Sequence, residues 1–195
     1  MRKLIFICTL LLFVVSCAQE KKPEIPVEIQ IKTAVLSLSD ADKGGAMVYG
    51  YDGSGRMVVL REGTNNLVCL GDDPSKEGIS TSCYSKKLEP FMARGRELSA
   101  EGKTQEERFA IRGEEVKSGK LKMPEEPSMM YVYYGKDENY DKSTGELKEG
   151  KLRYVIYTPY ATSESTGLPE KPHAPGMPWI MDPGTHRAHI MIGPN

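Results

Sequence analysis

Residues 60–84, LREGTNNLVCLGDDPSKEGISTSCY, form the stretch that decides how this chain folds. Its apolar run at 67–70 is typical of a short strand and contains Cys69. The polar, glycine-bearing loop that follows leads to a second cysteine, Cys83. A strand-rich region lies before this stretch and the clearest helical region lies after it, so we expect sheet and helices to meet here.

Periodicity, capping and turn signals predict the other elements. The predicted strands are residues 46–51, 56–61, 67–70, 129–134, 152–158 and 189–192. The predicted helices run from 27 to about 39, from Ser85 onward, and from a Thr104–Glu107 capping box to about 118. For the first of them a strand is the alternative, because Val27, Ile29 and Ile31 alternate with polar residues. Polar loops are predicted up to Ser82 and at 135–151. Strands outnumber helices without βαβ alternation, so we predict one α+β domain, residues 27–195, with a mostly antiparallel sheet and two or three helices.

Length and composition fit one globular domain with a sizeable core. The chain has 195 residues, of which 39% are hydrophobic and 27% are charged, close to the averages of folded domains. Without Arg2 and Lys3, the 26 basic residues become 24 against 27 acidic ones, so the net charge of the mature chain is about −3. There is no basic stripe, which argues against nucleic acid as a partner.

Residues 1–16 have the pattern of a bacterial lipoprotein signal peptide. Arg2 and Lys3 precede an apolar run that is shorter than the ~20 residues of a membrane-spanning helix. The run ends in Val-Val-Ser-Cys, which resembles a lipobox, and the resemblance implies that Cys17 is lipidated and becomes the first residue after cleavage. The alternative is an ordinary secretory signal in which Cys17 only lies near the cut.

Lipidation at Cys17 predicts that the membrane is a partner and that the protein is held in the cell envelope. Ala18 follows the cysteine in place of the aspartate that favours inner-membrane retention. We therefore favour the outer membrane, with the protein facing the periplasm or the surface. Residues 17–26 contain two prolines and several polar residues, and they are predicted to be a lipidated tether.

Several longer motifs resemble those of an uncharacterised family of secreted bacterial proteins. They are LREGTNNLVCLGDDP at 60–74 with Cys83 after it, LEPFMARGRELSAEG at 88–102, LRYVIYTPYAT.ESTGLP at 152–169, and MPWIMDPGT..AHIMI at 177–192. The resemblance covers about residues 44–192. It implies that Cys69 and Cys83 belong to the domain itself and that His189, but not His186, is part of the closing motif. It implies no activity.

The two cysteines of the domain, Cys69 and Cys83, are predicted to form a structural disulfide, because thiols exported beyond the cytoplasm usually pair. Closing a loop of about 15 residues stabilises the fold by roughly 3 kcal/mol in the chain-entropy model. The alternative is a redox-active or metal-binding pair. Such pairs usually have CxxC spacing, whereas 13 residues intervene here.

The C-terminal segment contains all three histidines of the chain, together with several methionines. Imidazole and thioether ligands suit copper, so a metal site is one interpretation of this segment. The alternative is ordinary packing, because the segment ends in a predicted strand, where His186 and His189 point to opposite faces. The candidate ligand or metal residues are His173, His186, His189, Asp182 and Trp179. No cofactor is predicted.

Other candidate chemistry is weaker. Asp137, Asn139 and Asp141 resemble the start of a calcium loop, but Lys142 and Lys148 replace the Gly and Glu that such a loop requires, which favours an exposed polar loop. The chain has no GxSxG, HExxH, P-loop or GxGxxG motif. An enzyme is therefore the less favoured class.

Two hypotheses follow. The favoured one is a lipid-anchored, non-catalytic module of the cell envelope that binds a small molecule or another protein. Exposed aromatic residues are a candidate contact surface, although sheet packing is the expected role of most of them. They are Tyr131, Tyr133, Tyr134, Tyr157, Tyr160 and Trp179. The alternative is an envelope enzyme or copper protein that uses the C-terminal segment, and as an enzyme it requires His189, Asp182 and Trp179 to share one pocket.

Overall fold

The computed structural model of the protein describes residues 25–194 and contains an eight-stranded sheet with helices packed on both faces. The strands of the sheet are β1 (Met47–Tyr51), β2 (Met57–Arg61), β3 (Leu67–Leu70), β4 (Ile79–Ser85), β5 (Ser128–Gly135), β8 (Lys151–Tyr157), β9 (Trp179–Met181) and β10 (His189–Ile192). A separate hairpin is formed by β6 (Tyr140–Asp141) and β7 (Glu146–Leu147). The helices are α1 (Val27–Ala34), α2 (Asp40–Lys43), α3 (Glu89–Ala100), α4 (Gln105–Lys117) and α5 (Ser163–Thr166).

This architecture confirms the predicted single α+β domain with a mostly antiparallel sheet. Three helices have eight or more residues, and α2 and α5 are single turns. The predicted signal peptide, Cys17 and most of the tether lie outside the described residues. Within residues 25–194, no helix has both the length and the apolar character that crossing a bilayer requires.

The strand order in the sheet is β2-β1-β3-β4-β5-β8-β10-β9. Neighbouring strands are antiparallel except for β1 and β3, which are parallel. Because parallel strands end at the same edge of a sheet, the β1–β2 turn and the β3–β4 loop lie side by side. The end of β5 joins them, since Gly135 pairs with Ile79 at the start of β4. Three connections thus meet at one edge.

The sheet has a separate apolar cluster on each face, as the alternation of side chains along a strand requires. One face carries Val68 and Tyr84, which pack with Phe91 of α3 and with Val155 and Tyr157. The opposite face carries Val48, Cys69 and Cys83, which pack against Ala34 and Val35 at the end of α1. Both faces are therefore covered at the β3–β4 pair, and the core lies on either side of it.

Local signals explain where most helices begin and end. Thr104 caps α4 as predicted: its hydroxyl accepts a hydrogen bond from the Glu107 amide at 3.2 Å, and the Glu107 carboxylate accepts one from the Thr104 amide at 2.8 Å. The helix predicted to reach residue 39 ends at Ala34. Beyond it, the amides of Leu36 and Leu38 donate to carbonyls three residues earlier, and these tighter turns bring Leu38 onto the core.

Candidate functional site

The cysteine pair of the opening stretch is a disulfide, as predicted. Cys69 and Cys83 lie opposite each other on β3 and β4, with an S–S distance of 2.06 Å and a sequence separation of 14. Both side chains are fully buried against α1. The bond joins the two strands, so the loop at 71–78 projects from a cross-linked base.

That loop forms one wall of a cleft with a volume of about 460 Å³. The other walls come from Ile25 and one side of α1, from the β1–β2 turn and from the β6–β7 hairpin. Ile25, Ile79 and Tyr140 give the cleft an apolar part, and they belong to one packed cluster. Its charged lining includes Asp72, Asp137, Lys76 and Lys142. The cleft thus combines apolar surface with charges of both signs, as small-molecule sites usually do.

Hydrogen bonds fix the walls of the cleft to one another. The Gln30 side chain of α1 bonds both backbone groups of Tyr51: its Oε1 accepts from the amide at 2.9 Å and its Nε2 donates to the carbonyl at 3.0 Å. The hydroxyls of Thr33 and Tyr140 are 2.7 Å apart, which joins α1 to the β6–β7 hairpin. These groups are engaged with the protein, so they define the shape of the cleft rather than its chemistry.

Two carboxylates in the cleft have no positive partner. Asp72 accepts a hydrogen bond from the Ser80 amide at 2.8 Å, and Asp137 accepts one from the Gly78 amide, also at 2.8 Å. Neither forms a salt bridge with a Lys or Arg anywhere in residues 25–194. Backbone amides therefore orient both groups while their charge stays uncompensated.

Burial raises the pKa of the Asp72 carboxyl, and the negative charge of Asp137 adds to the rise despite the hydrogen bond from Ser80. Burial also raises the pKa of Tyr51 to about 12, with a contribution from the charges of Asp73 and Asp72. Tyr51 is therefore a neutral phenol at physiological pH. The negative charge of the cleft resides on its carboxylates.

The positive charges around the cleft are distributed unevenly. Lys76 pairs with Asp73 at 3.0 Å, and Arg56 pairs with Asp52 at 3.0 Å. Lys142 has no carboxylate partner within the described part of the chain. After these pairs are set aside, Lys142 is the one cation without a carboxylate partner among the described residues that line the cleft.

The predicted C-terminal site is divided: two of its residues line a recess, and a third pairs with Arg187. His173 and Trp179 line a shallow recess of about 350 Å³ beside Pro172 and Pro175. Asp182 instead accepts a hydrogen bond from Arg187 Nε at 2.7 Å. Asp182 is thus engaged in an ion pair, while Trp179 lines the recess.

The other two histidines are buried. The His189 ring stacks on Tyr157, and its Nδ1 is 2.7 Å from the Arg187 carbonyl, so this nitrogen carries the proton. His186 lies between the rings of Phe91 and Phe109, and its buried Nε2 has no hydrogen-bond partner among residues 25–194. The rings of His186 and His189 thus pack against different aromatic side chains.

Within residues 25–194, no group of three or more His, Cys, Asp or Glu side chains is placed to hold a metal ion. The enzyme alternative required one pocket around His189, Asp182 and Trp179. His189 and Asp182 both contact Arg187, whereas Trp179 lines the recess with His173.

Most of the predicted aromatic surface is engaged in packing. Tyr157 is buried, Tyr131 packs edge-to-face on Tyr154 with ring centroids 5.9 Å apart, and Arg153 stacks on Tyr134. Tyr160 is instead 54% exposed, and Trp179 lines the recess beside His173. The aromatic set therefore does not form one contact surface.

The cleft residues were largely missed by sequence reasoning. Asp137 was considered only as part of a calcium loop; in the structure it binds Gly78, while Asp141 accepts a hydrogen bond from the Ser143 amide within a local turn. Asp72 follows β3 in the sequence Gly-Asp-Asp-Pro, which reads as a strand-ending turn. The one signal in the sequence that could have indicated the cleft is that Asp72 and Asp137 each come shortly after a predicted strand, 67–70 and 129–134.

Comparison of the chain with protein-family models, with curated proteins and with solved structures gives no match. The resemblance to secreted bacterial proteins therefore stays a prediction that rests on the four motifs quoted above.

Proposed function

We propose that the protein is a lipid-anchored, non-catalytic binding module of the cell envelope, whose cleft binds a small organic molecule with a positively charged amine. The observation that carries this proposal is the uncompensated pair of carboxylates, Asp72 and Asp137, in a cleft that also has apolar lining. Asp72 is half-buried, so its carboxylate gains from a cation that donates hydrogen bonds to it, and the exposed Asp137 adds a second negative charge at the rim of the cleft.

The location in this proposal is supported by sequence and by the disulfide. The lipobox-like Val-Val-Ser-Cys sequence at Cys17 favours an anchored protein. The Cys69–Cys83 disulfide agrees with export, since disulfides persist in oxidising compartments. It also engages both thiols of the domain, so neither serves as a nucleophile.

The test is calorimetric titration of a chain that starts at Cys17 and carries Cys17→Ser. The probes are ethanolamine, putrescine and lysine, each compared with an alcohol or diol of similar size that lacks the amine. We expect the amines to bind more tightly than their neutral counterparts. Asp72→Asn and Asp137→Asn should each weaken amine binding about tenfold or more, because each removes one charge that faces the ligand.

Asp40→Asn is the matched control, since Asp40 lies on α2, outside the cleft lining, and forms an exposed ion pair with Lys43. Its affinity for amines should equal that of the parent chain. If the amines and the neutral molecules bind equally, or if the cleft variants retain the parent affinity, the proposed ligand class is wrong.

A further inference from the structure

The cleft lies close to the predicted point of membrane attachment. Ile25 is part of its lining, and Cys17 is eight residues earlier in the chain. Eight residues span at most about 29 Å when fully extended. If the lipid is on Cys17, the cleft stays within about that distance of the bilayer surface, whatever path residues 17–24 take. Ligands presented by the membrane are therefore within its reach.

The charges of the cleft complement a zwitterion better than a simple amine. Asp72 and Asp137 offer acceptors to an ammonium group, and the unpaired Lys142 offers a positive charge to an anion in the same cleft. Lys76 also lines the cleft, although Asp73 neutralises it. A ligand with an ammonium group and an anionic group a few bonds apart would pair with the two carboxylates and with Lys142.

The need for hydrogen-bond donors restricts which cationic groups the cleft can bind. Asp72 and Asp137 accept hydrogen bonds, so a primary ammonium with three N–H donors satisfies them, whereas a quaternary ammonium has no donor. An aromatic cage for a quaternary ammonium ion needs several open ring faces, whereas of the two tyrosines in the cleft lining, Tyr51 and Tyr140, the second is buried against Ile79. The cleft volume of about 460 Å³ lies within the range of small-molecule sites.

Building on the amine-binding cleft proposed above, we propose that this cleft binds the ethanolamine-phosphate headgroup of a membrane lipid. The ammonium lies between Asp72 and Asp137, and the phosphodiester lies at Lys142. Ile25 and Ile79 contact the carbon skeleton next to the phosphate. The protein then binds lipid from the membrane to which Cys17 anchors it.

The test begins with soluble probes and the Cys17→Ser chain, which retains all of residues 25–194. We expect O-phosphoethanolamine to bind about tenfold more tightly than either phosphocholine or ethanolamine, because phosphocholine lacks the N–H donors and ethanolamine lacks the phosphate. Lys142→Ala should remove the advantage of O-phosphoethanolamine over ethanolamine. Lys148→Ala is the matched control, because Lys148 lies in the same segment but is not part of the cleft lining.

The source of the headgroup is then tested by co-sedimentation of the same chain with vesicles. Vesicles of phosphatidylcholine that contain phosphatidylethanolamine should bind the chain, and pure phosphatidylcholine vesicles should not. Asp72→Asn should abolish the difference. Binding to soluble O-phosphoethanolamine without binding to these vesicles would overturn the membrane source of the ligand.

The remaining outcomes separate this inference from the proposed function. Equal affinity for O-phosphoethanolamine and ethanolamine overturns the headgroup assignment and leaves an amine-binding cleft. Equal affinity for O-phosphoethanolamine and phosphocholine overturns the role of the N–H donors. Failure of every amine to bind overturns both proposals together.

Discussion

At the scale of single residues, Glu89 at the start of α3 is the centre of a part-buried polar network that joins this helix to the sheet. Its carboxylate accepts hydrogen bonds from the hydroxyl of Tyr84 at 2.6 Å, from that of Tyr49 at 3.3 Å and from Arg96 at 2.6 Å. Arg96 also donates to the Tyr84 hydroxyl at 2.7 Å. Because Tyr84 is fully buried on β4, this network attaches α3 to the sheet at a defined position.

We predict that Glu89→Gln lowers the free energy of unfolding by about 1–3 kcal/mol, since it removes the charge that pairs with Arg96 and weakens two hydrogen bonds from tyrosines. Urea denaturation followed by circular dichroism measures the loss. Glu126→Gln is the control, because Glu126 pairs with Lys87 on the exposed surface. Equal stability of the two variants would mean that the Glu89 network does not contribute to the fold.

The buried histidines predict a dependence of stability on pH. Burial lowers the pKa of both His186 and His189, and the charges of Arg112 and Arg187 lower that of His186 further. In the unfolded chain a histidine has a pKa of about 6.5, so below that pH the unfolded state binds more protons than the folded state. The free energy of unfolding therefore decreases as the pH falls through about 6.5.

We predict that His186→Leu reduces this acid sensitivity and costs little stability at about pH 8, because Nε2 of His186 is buried without a partner in the described residues. Urea denaturation at about pH 8 and about pH 5 measures the difference for each protein. His173→Leu, at an exposed position, should leave the difference unchanged. A large loss of stability for His186→Leu at about pH 8 would show that its imidazole has a polar role.

At the scale of elements, the return of the chain from β2 to β3 depends on a close backbone contact. A Cβ atom on Gly63 would be 2.6 Å from the Met47 amide nitrogen and 2.9 Å from its Cα. Backbone atoms of β1 cannot move aside without disturbing the β1–β3 pairing. Glycine is therefore required at this crossing for steric reasons.

We predict that Gly63→Ala lowers the free energy of unfolding by about 1–3 kcal/mol, as overpacking in a tight contact does. Gly44→Ala is the matched control, because Gly44 has helical backbone angles and a Cβ there would have no atom within 4 Å. Gly44→Ala should be neutral or slightly stabilising. Thermal and urea denaturation of both variants gives the comparison, and equal effects would contradict the steric role of Gly63.

Element prediction from sequence was accurate where the local signal was strong. The β1–β2 hairpin, β3, α4 and β10 have clear turns, caps or apolar runs, and each is confirmed. The strand β4 begins at Ile79, inside the predicted loop. It was missed because Thr81, like Ser80 and Ser82, is polar, so the alternation of buried Ile79, Thr81 and Cys83 is not apparent in the sequence. Helix α3 begins at Glu89, after a 3-10 turn formed by Lys86–Leu88.

The strands β6, β7 and β9 and the single-turn helices α2 and α5 escaped prediction because each has only two to four residues. The hairpin of β6 and β7 has two residues in each strand, and β9 has three. Their stability comes from tertiary packing: Tyr140 and Leu147 of the hairpin pack on Ile79, and β9 pairs with β10. Periodicity does not detect segments this short.

At the scale of the whole molecule, the cleft could not be predicted because its walls are distant in sequence. Asp72 and Asp137 are 65 positions apart and meet because β1 and β3 are parallel while β4 and β5 are antiparallel. The sequence predicts a mostly antiparallel sheet but not which strands are neighbours. The disulfide was predictable from the sequence. That the loop at 71–78 forms a wall of the cleft was not, because it depends on the strand order.

The same strand order predicts that the domain unfolds as one unit. The two halves of the sheet are joined by six paired positions between β4 and β5, and residues from both halves, such as Tyr84 and Val155, belong to one apolar cluster. Trp179 is the single tryptophan of the chain and lies on β9, at one edge of the sheet. Its fluorescence therefore reports on the edge that lies farthest from β2.

We predict that urea denaturation monitored by Trp179 fluorescence and by far-ultraviolet circular dichroism gives the same midpoint and the same slope under non-reducing conditions. The dichroism signal averages over all helices and strands, including α1, which packs on β1 and β4, whereas Trp179 reports on the β9 edge alone. A fluorescence transition at lower urea would mean that β9 and β10 open separately. In that case the β4–β5 pairing does not couple the two halves of the sheet.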